Sequence, residues 1–169
     1  WGPIYIRLAR EKTPIFTTEQ TPFTPGKAEV FFRTDAPAVL IIGCGPVLHN
    51  ALLAAGELKE DGIRTIVLNS HTIKPLDERK INELTKEAGA VVTVEEHSIF
   101  GGLGGAVAEV LAKHLPMPME FVGTNDTFGE SGKPEELIKK YGLGVKDIKE
   151  AVKKVIKRNP EWSSRWFCT

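Results

Sequence analysis

Two arginines close to the start of the chain, Arg7 and Arg10, are the side chains best suited to bind a charged ligand. A guanidinium group offers a planar fork of N–H donors that matches a phosphate or a carboxylate. Residues 3–8 combine β-branched and aromatic side chains in near-alternation, which predicts a strand that would hold both arginines in place. Taken alone, such arginines are more often solvated surface residues.

A second group that could do chemistry is Glu95-Glu96-His97, at the end of a predicted strand. A neighbouring carboxylate raises the basicity of an imidazole, so His97 could transfer protons. A histidine in such a position is more often a hydrogen-bonded loop residue, and we favour that interpretation. The other histidines form no i, i+4 pair, and Cys44 and Cys168 lack metal-ligand spacing. The sequence therefore predicts no metal site.

Two glycine-rich stretches follow predicted strands. Gly43-Cys44-Gly45 resembles the start of a dinucleotide fingerprint, but that fingerprint needs a third glycine where this chain has Leu48, so a plain tight turn is favoured. Gly101–Gly105 opens a predicted helix, although each glycine costs a helix about 1 kcal/mol relative to alanine. Such glycines either expose helix amides to an anion or let another backbone pack closely. Glu95 and Glu96 would repel an anion, which favours close packing.

The elements that must position these residues alternate between strands and helices along the chain. Short apolar runs joined by helical patterns require crossover connections and a sheet covered on both faces. The sequence predicts an α/β fold, doubly wound, with a mostly parallel sheet and helices on both faces. The predicted strands are 28–32 at an edge, 39–42, 65–68, 90–94 and 119–122, and the predicted helices are 47–58, one between Asp77 and Gly89, 103–115, 134–141 and 145–158. Ligands of such sheets bind beyond the carboxyl ends of the strands, which indicates loops 43–46, 69–74 and 95–102.

Composition excludes several classes of function. The 22 acidic and 22 basic residues give a net charge of zero, so no overall field favours nucleic acid or an anionic membrane. No apolar run approaches the roughly 20 residues that span a bilayer. Two unpatterned cysteines are typical of a reduced compartment, and we expect a soluble, cytoplasmic protein. The chain starts at Trp1 without a methionine, from which we expect a cut inside a longer polypeptide.

Five segments, taken together, resemble the C-terminal third of transketolase. Residues 2–10 are similar to the last strand of the pyrimidine-binding domain of that family. The four segments that resemble its C-terminal domain are Ile73-Lys74-Pro75-Leu76-Asp77, Thr93-Val94-Glu95-Glu96-His97, Gly101-Gly102-Leu103-Gly104 with Ala106-Val107, and Ser131-Gly132-Lys133-Pro134-Glu135-Glu136-Leu137. The agreement of five segments in order and spacing is far more specific than any one of them.

The resemblance divides the chain into four parts. Residues 1–10 correspond to a remnant strand of the pyrimidine-binding domain, and residues 11–36 form a Thr- and Pro-rich linker that includes the edge strand. Residues 37–158 correspond to the C-terminal α/β domain of transketolase. Residues 159–169 form a tail that matches nothing in the family.

The resemblance implies that the intact enzyme moves a two-carbon ketol unit between sugar phosphates, in the pentose phosphate pathway, with thiamine diphosphate and Mg or Ca. In that family the catalytic and cofactor-binding residues lie upstream, so it implies none in this chain and an isolated chain that is inactive and binds no cofactor. Arg10 matches the arginine that binds the substrate phosphate. The implied partners are an N-terminal transketolase section, on the same or another polypeptide, and a second copy in a homodimer.

Related enzymes offer an alternative, because deoxyxylulose-phosphate synthase and the beta subunit of 2-oxoacid dehydrogenases share this architecture. The pair Glu96-His97 and the run Ser131–Pro134 look more like transketolase than like either. Two alternatives come from other classes of protein. One is a free-standing ligand-sensing module that uses the loops around Gly43, Asn69 and His97, and the other is a pure assembly module.

Overall fold

The apolar run Val39–Gly43 forms the central strand of a five-stranded sheet, and all five of its residues are buried. A strand covered on both faces needs apolar side chains on both, which explains why the run is continuous rather than alternating. The computed structural model describes residues 2–159 of the chain.

The helices and strands lie close to the predicted positions. The strands are β1 Glu29–Arg33, β2 Val39–Gly43, β3 Thr65–Asn69, β4 Val91–Ser98 and β5 Met119–Thr124. The helices are α1 Leu48–Glu60, α2 Glu78–Ala88, α3 Leu103–His114, α4 Pro134–Lys140 and α5 Val145–Lys157. Helix α1 begins after Pro46, whose carbonyl first accepts a turn hydrogen bond from the His49 amide (3.1 Å).

The strands are ordered β1-β3-β2-β4-β5. Strands β3, β2, β4 and β5 are parallel, and the edge strand β1 runs antiparallel to β3. Val39 and Ile41 of β2 pack into a core with α1 and α5, whereas Leu40 and Ile42 face the opposite core with α2 and α3. Helices therefore cover both faces, and the predicted doubly wound α/β fold is confirmed.

Helix α2 has the predicted ends. The Asp77 carboxylate accepts a hydrogen bond from the Lys80 amide (3.2 Å), which satisfies one of the unpaired donors of the first turn. Gly89 ends the helix with φ 78°, in the left-handed region where glycine has no steric penalty. Asp77 also accepts a hydrogen bond from the Ala28 amide (3.2 Å), so the same carboxylate ties the end of the linker to α2.

The strand predicted at residues 3–8 does not form in this chain. Residues 2–28 contain no helix or strand, and Ile4, Tyr5 and Leu8 are 73%, 89% and 83% exposed. The prediction was wrong for a physical reason, because a strand is stabilised by hydrogen bonds to a neighbouring strand and no strand in residues 2–159 pairs with this segment. Its pairing within a longer protein stays a prediction.

Residues 11–28 are nevertheless attached to the domain through aromatic contacts, including one between Phe16 and His49 of α1 with 6.1 Å between ring centroids. The ring of Phe16 packs edge-on against Phe31 of β1, with 6.2 Å between centroids. The ring of Phe23 stacks on His71, just beyond β3, with 4.4 Å between centroids. The residues between 11 and 28 therefore follow the surface of the domain rather than leaving it.

The closing residues of the described chain also pack on the domain. Asn159, which the sequence analysis assigned to the tail, donates a hydrogen bond to the Gly89 carbonyl (2.8 Å). The rest of the predicted tail, from residue 160 on, lies outside the described residues. Within residues 2–159, no helix is both long and apolar enough to cross a membrane.

Candidate functional site at the carboxyl edge of the sheet

The three loops expected to bind ligands meet at one edge of the sheet. The Ser70 amide, after β3, donates to the Gly43 carbonyl at the end of β2 (2.9 Å). The Cys44 amide, after β2, donates to the Val94 carbonyl of β4 (3.4 Å). The chain leaves β2 towards β3 and leaves β4 in the other direction towards β5, so the crevice between β2 and β4 is the topological switch point of the sheet. Ligands of doubly wound sheets usually bind there.

The carboxylate of Glu95 lies at this point, and the side chain is only 3% exposed. Its Oε2 accepts a hydrogen bond from the Leu103 amide and its Oε1 one from the Gly104 amide, both at 2.7 Å. Amides at a helix N-terminus carry partial positive charge and have no partner within the helix. The anion-binding capacity of α3 is therefore used by a carboxylate of the chain itself.

The glycines at the start of α3 make this contact possible. A Cβ atom on Gly102 would overlap Oε2 of Glu95, and a Cβ atom on Gly104 would lie 2.7 Å from Cδ1 of Phe121 and 2.9 Å from Oγ1 of Thr93. Close packing is thus the reason for these glycines, as expected, although the neighbours are side chains rather than another backbone. The anion at the start of α3 is Glu95 itself, so its carboxylate occupies the amides that an external anion would need.

The first glycine turn also has a local explanation. Gly45 has φ 71°, in the left-handed region that residues with a side chain rarely adopt. A Cβ atom on Gly43 would lie 2.8 Å from Cδ1 of Leu48, the residue that stands where a dinucleotide fingerprint would have its third glycine. Both glycines are accounted for by the turn between β2 and α1, in agreement with the interpretation as a plain tight turn.

Cys44 lies half-buried in the same crevice. The pKa of its thiol is raised to about 11, mainly by burial and then by the negative charge of Glu95, while the positive charge of Arg7 acts in the opposite direction. The thiol is therefore protonated near neutral pH, which makes Cys44 a poor nucleophile.

His97 is held by a local hydrogen bond. Its Nδ1 lies 2.8 Å from the Ser98 carbonyl oxygen, which can only accept, so Nδ1 carries the donated proton. The same nitrogen lies 3.9 Å from Oε2 of Glu95, whose carboxylate is already bound by two amides. This geometry agrees with the favoured interpretation of His97 as a hydrogen-bonded loop residue.

The two arginines lie in different surroundings. Arg7 reaches the carboxyl edge, where its Nη1 donates to the Glu96 carbonyl (2.9 Å). Arg10 has a side chain 92% exposed and pairs with its neighbour Glu11 (3.1 Å). Burial raises the pKa of the Glu96 carboxyl, and the nearby Arg7 partly offsets this. The resemblance assigns no role to Arg7, and the role of Arg10 as a substrate ligand stays a prediction.

Comparison with known proteins identifies the family. The sequence profile described as "Transketolase, C-terminal domain" matches residues 26–148. The chain belongs to the transketolase C-terminal domain family, and the resemblance noted in the sequence is confirmed.

Two relatives and one solved structure show how the chain compares. It is 43% identical, over 93% of its length and 48% of the relative, to the 6-deoxy-6-sulfo-D-fructose transketolase subunit SqwH of Clostridium sp. (strain MSTE9). It is 42% identical, over 93% of its length and 49% of the relative, to the "Putative transketolase C-terminal section" of Methanocaldococcus jannaschii. The structure of "Split gene transketolase, inactive beta4 tetramer" matches with a TM-score of 0.83 at 40% identity, over 89% of this chain and 48% of that one. The chain thus spans about half the length of these proteins.

The described residues do not fit thiamine diphosphate and its divalent metal by themselves. The helix N-terminus at α3, which could have bound a diphosphate, is filled by Glu95. Within residues 2–159, no group of three or more His, Cys, Asp or Glu side chains could hold a metal ion.

Replacing adjacent glycines of α3 by alanine tests the packing around Glu95. Gly104→Ala should lower the free energy of unfolding by about 1 to 3 kcal/mol, because the added methyl group has no space. Gly105→Ala is the matched control: nothing lies within 4 Å of its Cβ position. It should raise the free energy by up to about 1 kcal/mol through helix propensity. Urea unfolding followed by circular dichroism measures both, and equal effects would contradict this account.

The protonation of Cys44 can be tested by alkylation. The chain has two cysteines, so a Cys168→Ser variant retains Cys44 alone. We expect iodoacetamide to modify it near pH 8 about a hundredfold more slowly than in concentrated urea, because only the thiolate reacts and a pKa near 11 leaves little of it. Equal rates in the folded and unfolded protein would show that the crevice does not suppress the thiolate.

Proposed function

We propose that this chain is the C-terminal part of a transketolase, either of a longer polypeptide or of a separately encoded C-terminal section. The intact enzyme transfers a two-carbon ketol unit between sugar phosphates once the upstream part is present. The observation that carries the proposal is the match over 93% of this chain to relatives named as a transketolase subunit or section, at 42% and 43% identity. The match covers 48% and 49% of these two relatives, so each relative is about twice as long as this chain.

The exposed N-terminal segment supports the need for a second section. Ile4, Tyr5, Ile6 and Leu8 are each more than 70% exposed, although apolar side chains in this number are usually covered. The segment also lacks a strand to pair with in residues 2–159. A sheet in the other section that accepted it as a strand would cover these side chains and satisfy its backbone donors and acceptors.

The cofactor is expected to bind on that other section. The family implies thiamine diphosphate, with Mg or Ca as its metal, and when bound this cofactor supplies the carbanion chemistry of ketol transfer. The residues of this chain would contribute the fold that supports the assembly and, through Arg10, one ligand of the substrate phosphate. We expect the enzyme to be cytoplasmic, because phosphorylated sugars are available in the cytoplasm.

The proposal includes self-association without activity. The solved relative with 40% identity is described as an inactive tetramer of beta subunits. We infer that this chain alone likewise forms a homodimer or a larger assembly that has no ketol transfer activity.

A reconstitution assay tests the proposed function. Ketol transfer is measured with thiamine diphosphate and magnesium for this chain, for the whole upstream remainder of the transketolase from the same source, and for their mixture. We expect turnover in the mixture alone. Turnover by this chain alone would contradict the proposal. Association without ketol transfer would favour deoxyxylulose-phosphate synthase or a 2-oxoacid dehydrogenase, and failure to associate would favour a free-standing module.

Arg10 is tested in the reconstituted enzyme. Arg10→Ala should weaken transition-state binding of phosphorylated substrates by about 2 to 4 kcal/mol, the cost of removing one partner of a charge-assisted pair. This corresponds to a loss in kcat/KM of roughly 30- to 900-fold. Lys12→Ala, at an exposed position two residues away, is the control and should leave the kinetics unchanged. An unaltered KM and kcat in Arg10→Ala would remove Arg10 from the substrate site.

A further inference from the structure

Arg7 links the exposed N-terminal segment to the carboxyl edge of the sheet. Its Nη1 donates a hydrogen bond of 2.9 Å to the carbonyl of Glu96, which lies 89 residues away in the sequence. The residues on either side of Arg7 are exposed and belong to no helix or strand. A guanidinium donor on a carbonyl is a charge-assisted bond, stronger than a bond between neutral groups.

The acceptor is held firmly in place. Glu96 directly follows Glu95, whose carboxylate is fixed by the amides of Leu103 and Gly104. The preceding residues of β4 pair with β2 on one side and β5 on the other. The carboxylates of Glu95 and Glu96 also give this corner a negative charge that attracts a guanidinium. Arg7 therefore binds beside an anchored carboxylate, at a corner of opposite charge.

The spacing of the two arginines then matters. In an extended chain each residue advances about 3.3 Å, so Arg10 lies about 10 Å beyond Arg7. Side chains three residues apart in a strand point to opposite faces. When Arg7 faces Glu96, a strand formed by this segment would direct Arg10 away from the domain. The 92% exposure of the Arg10 side chain agrees with this direction.

We propose that Arg7 is a positioning residue: its bond to the Glu96 carbonyl fixes the segment that carries Arg10 and so places the Arg10 guanidinium for the substrate phosphate in the complete enzyme. The proposal rests on the proposed function, because it needs the section that completes the substrate site. It gives Arg7, to which the resemblance assigns no role, a task different from that of Arg10.

A double-mutant cycle in the reconstituted enzyme tests this role. Arg7→Met should raise the KM for a phosphorylated acceptor by about 5- to 20-fold, within the range of coupling between residues that act together, while kcat changes less than about twofold. Arg7→Lys keeps a charged donor and should restore most of the loss. In an Arg10→Ala background, Arg7→Met should have no further effect. Losses that multiply would mean that Arg7 acts independently of Arg10, and an unchanged KM would leave it without a role; either result overturns the proposal.

The contact itself can be measured in this chain alone. Hydrogen bonding polarises a carbonyl group and moves its ¹³C resonance downfield, so the carbonyl resonance of Glu96 should move upfield in Arg7→Met. Arg10→Met, on the same segment, is the matched control and should leave that resonance in place. An unmoved resonance in Arg7→Met would overturn the proposal at its first step.

The two experiments also separate this proposal from the proposed function. The mixture could be inactive while the Glu96 resonance moves in Arg7→Met. That result would refute the proposed transketolase function and the kinetic role of Arg7, but it would leave the contact between Arg7 and Glu96 in place. An active mixture together with an unmoved resonance would keep the transketolase and refute the positioning role.

Discussion

The carboxylate of Glu95 is buried at the end of the central sheet, and the surrounding structure is built to stabilise that charge. An ionised carboxylate removed from water is costly unless charged groups or hydrogen-bond donors surround it. Here the donors are the amides of Leu103 and Gly104, with the dipole of α3 aligned behind them. Because those amides must come within 2.7 Å of the carboxylate, Gly102 and Gly104 cannot carry side chains. One buried charge thus sets the start of α3, its distance from β4 and the composition of the turn between them.

This arrangement determines what the carboxyl edge can do. The position at which a doubly wound sheet ordinarily binds a ligand holds a side chain of the protein itself. His97 and the backbone of Glu96 lie beyond this position, where they face outwards. The edge therefore presents a carbonyl and negative charge to whatever approaches it, and in this chain the group that approaches is Arg7. Such an edge is suited to holding another segment of protein, which agrees with a supporting domain of a larger enzyme.

Most of the fold could be predicted from the sequence because its determinants are local. The run Val39–Ile42, the cap at Asp77 and the stop at Gly89 each act through neighbouring residues, and each forms as expected. The role of Glu95 is harder to predict, since its partners, the amides of Leu103 and Gly104, lie eight and nine residues later in the chain. The sequence feature that indicates this role is a glutamate at the end of a strand, followed by a glycine-rich helix start. The strand predicted at 3–8 needs a neighbouring strand to pair with, and no strand in residues 2–159 supplies one.

Cys44 shows a further consequence of placing negative charge beside a buried turn. Oxidation of a cysteine by peroxide, like the formation of mixed disulfides, proceeds through the thiolate. The raised pKa of Cys44, near 11, keeps that form scarce in the folded protein. Sulfenic acid should therefore form more slowly on Cys44 than on an exposed cysteine with an ordinary pKa, which protects the junction between β2 and α1 from oxidation.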